Sequence, residues 1–229
     1  MAALMPNKAK PIYTGTNIKT PLSLLGGTDY TLTLYPEAGS STRGVLVVAM
    51  TLQFQFEDGE SKVKKGEKLK WTDDERRNFA QKFVSNVIEV WDNKYRLKTD
   101  SDVVAENYRD VGVKFELKTL IDGWHLDDDY ELGVKKIDPG GFAQSCVTYQ
   151  FNEATLDSED NNPADKGASM KQRGTVHEFG HMLGLRDEYD TAKDNPYWTG
   201  DADSVMNKGE IVRARHYAPF AAWLTAQFA

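Results

Sequence analysis

TVHEFGHMLGLRDEY, residues Thr175 to Tyr189, is the stretch on which the predicted fold and chemistry of this chain depend. It contains two of the chain's four histidines, His177 and His181. In an α-helix, four residues advance by about 400°, so both imidazoles would lie on one face about 6 Å apart. Because two imidazoles at this spacing can share one zinc ion, the stretch is predicted to be a zinc site.

Glu178 follows the first histidine and is rotated from it by about 100° around the helix. At that position its carboxylate can reach a zinc-bound water rather than the metal. Zinc lowers the pKa of such a water toward about 7, so the carboxylate can accept a proton and pass it to a leaving amine. Glu178 is therefore predicted to be a catalytic general base.

A catalytic zinc ion needs a third protein ligand and one open position. We expect the zinc helix to be capped by Ser169 and to end at Gly184, which can adopt the left-handed conformation that terminates helices. The sharp turn at Gly184 would bring Asp187 and Glu188 within reach of the ion.

Other side chains near the C-terminus remain open as alternatives. His216 could fold back as a zinc ligand, or act as a catalytic group in the cleft. Together with Arg213 and Arg215 it could bind a substrate carboxylate or oxyanion, although a solvated basic start of a helix explains these residues equally well. Glu188 or Glu210 would be the third ligand in a zinc peptidase of another clan.

The segment HEFGHMLGLRD, residues 177 to 187, resembles the long zinc motif of the metzincin clan of metallopeptidases. In that clan the third ligand is a His or, in some members, an Asp. It falls at the place of Asp187. The resemblance thus implies His177, His181 and Asp187 as the metal ligands and a zinc ion (Zn2+) as the cofactor.

A second segment, DSVMNKG (Asp203 to Gly209), is similar to the Met-turn of the same clan. Its methionine, Met206 in this chain, would lie beneath the zinc site. Some members have a tyrosine two residues later that assists the transition state, and this chain has Lys208 there instead. The specific motifs cover only residues 175 to 209.

The resemblance also implies an α+β, metzincin-like zincin fold with a twisted mixed sheet and two helices, the second of which carries the zinc site at the cleft. The chain would be a single metallopeptidase domain over residues 1–229. It would comprise a loose N-terminal arm at 1–20, an upper lobe at 21–184 and a lower lobe at 185–229. The lower lobe would hold the Met-turn and a last helix, Gly209 to Phe228.

The periodicity of apolar residues predicts the same order of elements. A helix is expected from Thr72, which forms a capping box with Glu75. Its apolar residues recur every four positions as a stripe that faces the core: Phe79, Phe83, Val87, Trp91 and Tyr95. The run from Asn152 to Gly167 is expected to be an acidic, solvated loop. The predicted strands are Tyr30–Tyr35, Gly44–Phe56, Val111–Ile121, Tyr130–Ile137 and Ala143–Phe151.

Composition limits the classes of partner. The net charge of −7 argues against binding nucleic acid or an anionic membrane through bulk electrostatics. No apolar run is long enough to span a membrane and no apolar leader is visible, so localisation stays open between the cytoplasm and a signal-independent export route.

Two single residues are expected to have structural roles. Cys146 is the only cysteine and is expected to be a small buried hydrophobe. His125 is expected to be structural or exposed.

These features together predict a zinc-dependent endopeptidase that acts on a protein or peptide substrate. The strand Ala143–Phe151 would be the sheet edge that pairs with an extended substrate. The lack of disulfides and of a leader motivates the hypothesis of a secreted effector. The alternative outside the enzymes is a zinc-stabilised binding module, against which Glu178 speaks because a structural zinc site usually closes with a fourth ligand.

Overall fold

The structure is a computed structural model that describes residues 4–9, 11–18, 30–98, 110–123, 128–167, 169–189 and 196–227. These residues form a mixed α+β fold with one large mixed sheet and three α-helices, which confirms the predicted α+β class. His125 lies outside the described residues. Among the described residues, no helix has the length and apolar character needed to cross a membrane.

The strands are, in chain order, β1 (Tyr13–Ile18), β2 (Tyr30–Pro36), β3 (Arg43–Glu57), β4 (Gly59–Glu60), β5 (Lys68–Leu69), β6 (Arg96–Lys98), β7 (Asp110–Ile121), β8 (Tyr130–Lys135), β9 (Cys146–Thr148), β10 (Glu153–Asp157), β11 (Pro163–Gly167) and β12 (Met170–Arg173). The helices are α1 (Asp73–Trp91), α2 (Gly174–Met182) and α3 (Ala218–Ala226).

The sheet is organised around β3, a strand of 15 residues. Its apolar run from Val45 to Val48 is fully buried, as expected for a strand that is covered on both faces. Along one edge, β3 forms a parallel pair with β7. Along its other edge, the first part of β3 forms an antiparallel pair with β2, and the second part forms a parallel pair with β8. Beyond β8 follow β10 and then β9, which is the last strand on that side.

Helix α1 begins where the sequence predicts it. Thr72 accepts a hydrogen bond from Glu75 N, and Glu75 accepts one from Thr72 N, so the capping box is confirmed. The expected apolar stripe is buried against the sheet, except that Tyr95 lies beyond the helix end and is partly exposed. The buried members of the stripe are Phe79, Phe83, Val87 and Trp91.

Three predictions, which concern the N-terminal arm, the acidic run and Cys146, are wrong. The described residues of the arm, 4–9 and 11–18, are not loose, because β1 pairs with β2 and Leu4 is buried against Val45 and Val47. The run Asn152–Gly167 is not a loop, since it contains β10 and β11. Cys146 is exposed, because side chains alternate across β9 and it is Val147 that packs against the core.

Two predicted helix boundaries also need correction. Ser169 does not cap α2, because it has a positive φ of 65° in the turn between β11 and β12, and α2 begins only at Gly174. The last helix does not start at Gly209. A 3-10 turn at Ala214–Tyr217 precedes α3, and the segment before it is held by hydrogen bonds to the turn around Asp203.

Helix α2 lies against α1 and above Met206 in the buried core. Trp91 Nε1 donates to Val176 O at 3.0 Å, and the Trp91 ring packs edge-on against Phe179. Gly180 allows this close approach, because a Cβ at this position would overlap with the Met206 sulfur and lie 3.0 Å from Trp91 Cζ2. The glycine therefore sets the distance between the helix and the residues beneath it.

We expect Gly180→Ala to destabilise the protein by about 1–3 kcal/mol, because the added methyl group overpacks the core. The higher helix propensity of alanine would by itself stabilise the protein by about 1 kcal/mol. A measured loss of stability therefore comes from the steric overlap. Urea unfolding measures the change. Gly133→Ala in β8 is the control, since a Cβ there meets only Ala154 O at 3.8 Å. A Gly180→Ala protein as stable as its parent would contradict this packing.

Candidate metal centre and cleft

Three side chains that the sequence singles out meet at one point. The Nε2 atoms of His177 and His181 lie 3.2 Å apart, and Asp187 Oδ1 lies 3.2 Å from each of them. The two imidazole rings are nearly perpendicular, with an interplanar angle of 89°. His177, His181 and Asp187 are called the triad below. Within the described part of the chain, it is the group of side chains that can jointly hold a metal ion.

Hydrogen bonds to backbone carbonyls fix the tautomers of both triad histidines. His177 Nδ1 lies 2.9 Å from Val205 O, and His181 Nδ1 lies 2.9 Å from Leu185 O. A carbonyl oxygen only accepts, so each Nδ1 carries the proton and each Nε2 presents a lone pair. Both lone pairs point toward Asp187 Oδ1, which is buried and has no well-directed hydrogen bond from a described donor.

This arrangement matches the demands of a zinc ion. Ligand atoms held about 2.0–2.1 Å from one tetrahedral zinc ion lie about 3.3 Å from one another, close to the spacing within the triad. Three acceptor atoms that face one another in a buried place repel unless a cation lies between them. The donor set therefore fits a zinc ion with one position left open.

The pKa values in the triad respond to the same electrostatic field. Without a cation, a proton on an imidazole Nε2 takes its place: burial by itself raises the pKa of Asp187, but hydrogen bonds from His177 and His181 outweigh this effect and hold the pKa far below its ordinary value. Burial lowers the pKa of His181, while Asp187 and Glu178 raise it, with a net increase. A positive charge is thus favoured at the centre of the triad.

The turn after α2 brings the third member of the triad into place. Gly184 has a φ of 85°, its N–H donates to His181 O at 2.8 Å, and Leu185 N–H donates to Gly180 O at 3.1 Å. This pair of bonds is a Schellman motif, which confirms that α2 ends at Gly184. The reversal delivers Leu185 O to His181 and directs the next residues back toward the metal position.

Glu178 lies next to the triad, at a cavity of about 270 Å³ that His177 also lines. The side chain is almost fully buried, and its Oε2 atom has no hydrogen-bond partner among the described residues. Burial raises the pKa of Glu178, an effect that the neighbouring His177 and His181 oppose. A buried, unpaired carboxylate with a raised pKa at a cavity has the properties of a general base.

The loop around Met206 is tied to α2 by Gln172, the last residue but one of β12. Gln172 Nε2 donates to Val205 O at 2.9 Å and to Gly209 O at 2.7 Å. Glu188 N–H donates to Met206 O at 2.8 Å, which joins the same loop to the segment that carries Asp187. Met206 itself is fully buried beneath α2.

Glu188 points away from the triad. Arg215 binds it with two parallel hydrogen bonds of 2.7 Å, and His216 Nε2 lies 3.3 Å from its Oε1. Burial alone would raise the pKa of Glu188, but the hydrogen bonds from Arg215 and His216 lower it from 4.5 to about 2. Glu210 is likewise engaged, since it accepts from Arg173 Nε and Nη2. Neither glutamate is brought to the metal position.

The structure does not bring His216 to the triad or to the cavity, which corrects its predicted roles as a ligand or a cleft residue. Its Nδ1 accepts from Arg213 N–H at 3.1 Å, so Nε2 carries the proton and faces Glu188. Arg213 and Arg215 are also not free for substrate, because both pair with Asp201 at 2.6 Å. These residues connect the 3-10 turn at Ala214–Tyr217 to Asp201 and Glu188.

Two tyrosines at the site were missed by the sequence analysis. Tyr149 lies just beyond β9, with its hydroxyl 2.9 Å from His181 Nδ1 and 3.3 Å from Leu185 O. Tyr189 hydrogen-bonds to Asp187 and its ring lies nearly parallel to that of His177. The position of Tyr189 two residues after Asp187 could have indicated that it lies at the site. The position of Tyr149 next to His181 follows only from the strand pairing.

Comparison with protein family models, with curated proteins and with solved structures finds no significant match to this chain.

We expect Glu188→Gln to lower the free energy of unfolding by about 2–4 kcal/mol at neutral pH, because Arg215 loses a buried anionic partner. The pKa of Glu188 is lowered to about 2, so its stabilisation is present above about pH 4.5 and is lost as the pH falls toward 2. As the pH falls from about 4.5 toward 2, Glu188→Gln should therefore lose less stability than the parent.

Urea unfolding at neutral pH and at about pH 3 measures both effects. Glu153→Gln, at an exposed position of β10, is the control and should behave like the parent. Equal acid sensitivity of the parent and Glu188→Gln would show that this carboxylate does not contribute to the acid response.

Proposed function

We propose that this chain is a zinc-dependent endopeptidase in which Glu178 is the general base. The observation that carries the proposal is the convergence of three unprotonated acceptors, His177 Nε2, His181 Nε2 and Asp187 Oδ1, next to the unpaired carboxylate of Glu178. The cavity beside them gives a substrate access to the same point.

The resemblance to the metzincin clan supports this proposal, and the metzincin-like fold is part of it. The turn at Gly184 places Asp187 opposite both imidazoles, as the long zinc motif implies. Met206 is buried under α2, which is where the Met-turn methionine of that clan would lie. The α+β architecture, with β9 at the edge of the sheet, is compatible with the clan.

The residues of the chain have separate tasks in the proposed reaction. His177, His181 and Asp187 would hold zinc, which when bound supplies Lewis-acid chemistry that acidifies a water and polarises a carbonyl. Glu178 Oε2 accepts the proton of the attacking water and later transfers it to the nitrogen of the leaving amine. Burial raises the pKa of Glu178, which helps the carboxyl to keep the proton between the two transfers.

Strand β9 is proposed to align the substrate. It pairs with β10 on one side and is the last strand of the sheet, so its other edge presents backbone groups to an extended peptide. Tyr149 connects this edge to His181 by a hydrogen bond. A peptide that adds to β9 would therefore be close to the triad.

A zinc-stabilised binding module is the weaker reading. A purely structural site would have no use for a buried carboxylate that lacks a partner, because such a group costs stability. Among the residues that the structure describes, the triad supplies three ligands, whereas structural zinc sites usually have four protein ligands. Both features favour a catalytic site.

We expect Glu178→Gln to retain zinc but to lose peptide hydrolysis by a factor on the order of 10²–10⁴, because the proton acceptor is gone while the triad remains. Metal analysis and an assay with fluorogenic peptides, both on the purified protein, measure the two properties. Glu153→Gln should retain both. Full activity in Glu178→Gln would contradict the proposed mechanism.

We expect Asp187→Ala to weaken zinc binding by more than about 100-fold, because removal of a supporting residue already costs about 10–100-fold. His216→Gln should keep zinc affinity within about tenfold of the parent, since its ring contacts Glu188 and not the triad. Competition with a chromogenic chelator measures both affinities. Normal zinc binding in Asp187→Ala would exclude Asp187 as the third ligand.

A further inference from the structure

The cavity beside Glu178 carries two lysines that the proposed mechanism does not use. Lys166 and Lys208 both line this cavity of about 270 Å³, together with Glu178 and His177. They come from separate elements, β11 and the turn that follows Met206. A chain with a net charge of −7 thus presents two ammonium groups at its candidate active site.

Lys166 is the extra residue of a β-bulge. In the β11–β12 hairpin, Asp165 pairs with Lys171 and Gly167 pairs with Met170, so Lys166 has no partner across the hairpin. A bulge redirects the side chain of its extra residue, and bulges are common next to active sites. Lys166 is also close enough to Glu178 to interact with it electrostatically.

Lys208 is fixed at its backbone by the turn around it. Its N–H donates to Ala202 O at 3.2 Å, and Gln172 Nε2 donates to the carbonyls on both sides, Asn207 O at 3.3 Å and Gly209 O at 2.7 Å. This support holds the start of the Lys208 side chain at the cavity, while its exposed end remains available.

Two acidic side chains near the cavity, Asp160 and Asp187, are engaged by groups other than the two lysines. Asp160 also lines it, but Asp160 Oδ2 accepts from Ser145 Oγ at 2.5 Å and from Asp157 N at 2.8 Å. Asp187 faces the imidazoles of the triad. Across the described residues, neither Lys166 nor Lys208 forms an ion pair within 4.0 Å.

We propose that this cavity is a subsite for an acidic side chain of the substrate, whose carboxylate is bound by Lys166 and Lys208. This inference rests on the proposed peptidase function and names its substrate class: peptides with Asp or Glu near the scissile bond. Each ammonium offers three donors, and hydrogen bonds from an ammonium to a carboxylate are among the strong ones. The exposed ring of Phe142, also at the cavity, offers an apolar surface to the methylene groups.

A series of fluorogenic peptides tests the proposal, with Glu, Gln or Lys at each position around the cleaved bond. At the position that occupies the cavity, kcat/KM for Glu should exceed that for Gln by about five- to tenfold. Lys166→Ala and Lys208→Ala should each reduce this ratio, and the double variant should abolish it. Lys171→Ala is the matched control, because Lys171 lies in the same hairpin but does not line the cavity, and the ratio should stay as in the parent.

Charge reversal sharpens the test. Lys166→Glu combined with Lys208→Glu should shift the preference from Glu to Lys at the same position. The absence of a Glu preference at every position in the parent, or an unchanged preference in the double alanine variant, would overturn the proposal.

Binding without turnover separates this inference from the peptidase function. Fluorescence anisotropy with the zinc-loaded Glu178→Gln protein measures the affinity for the same peptides, whether or not the parent cleaves them. Tighter binding of the Glu peptides, weakened in the lysine variants, supports the subsite. Equal binding of the Glu and Gln peptides overturns it. Failure of the parent to hydrolyse any peptide would count against the proposed function alone.

Discussion

The Gly184 and Leu185 N–H groups donate back to the last carbonyls of α2, and this reversal determines the positions of the groups in the triad. It sets Leu185 O against His181 Nδ1, which fixes the tautomer of that histidine. It also returns the chain so that Asp187 lies 3.2 Å from both Nε2 atoms. A side chain other than glycine would be strained at the φ of 85° found at residue 184, so the site depends on one backbone conformation.

A second layer of charged groups keeps the returning segment in place. Glu188 lies next to Asp187 in sequence but is bound by Arg215, which also pairs with Asp201 and lies over the Trp198 ring at 4.3 Å. Breaking such a pair is costly because it leaves a buried charge alone, although the intact pair adds little net stability. The two adjacent acidic residues thus have different partners: Asp187 faces the two imidazoles of the triad, whereas Glu188 binds Arg215.

The elements that the sequence predicts well are those defined by local interactions. The capping box at Thr72, the apolar stripe of α1 and the histidines four residues apart on α2 each depend on positions within one or two turns of a helix. The coarse α+β class and most strands follow in the same way from their apolar patterns. The convergence of His177, His181 and Asp187 could be predicted from the sequence because the turn that connects α2 to Asp187 is short.

The features that were missed depend on contacts between distant parts of the chain. The acidic composition around β10 obscured a strand whose Ala154 and Leu156 are buried. Ser169 looked like a helix cap, but the hairpin of β11 and β12 occupies that stretch. His216 was assigned to the cleft by its residue type alone, and only tertiary packing shows that its nitrogens serve Arg213 and Glu188. No local pattern encodes such a choice of partner.

The contact between Met206 and Gly180 has a consequence for oxidative damage. The Met206 sulfur is fully buried and lies so close to Gly180 that even one added carbon would not fit between them. Conversion of this thioether to a sulfoxide adds a polar oxygen, and the folded core has neither the space nor the solvent access for that reaction. Peroxide reaches the sulfur only after α2 separates from the loop beneath it. The rate at which Met206 oxidises thus reports how often α2 moves away from this loop.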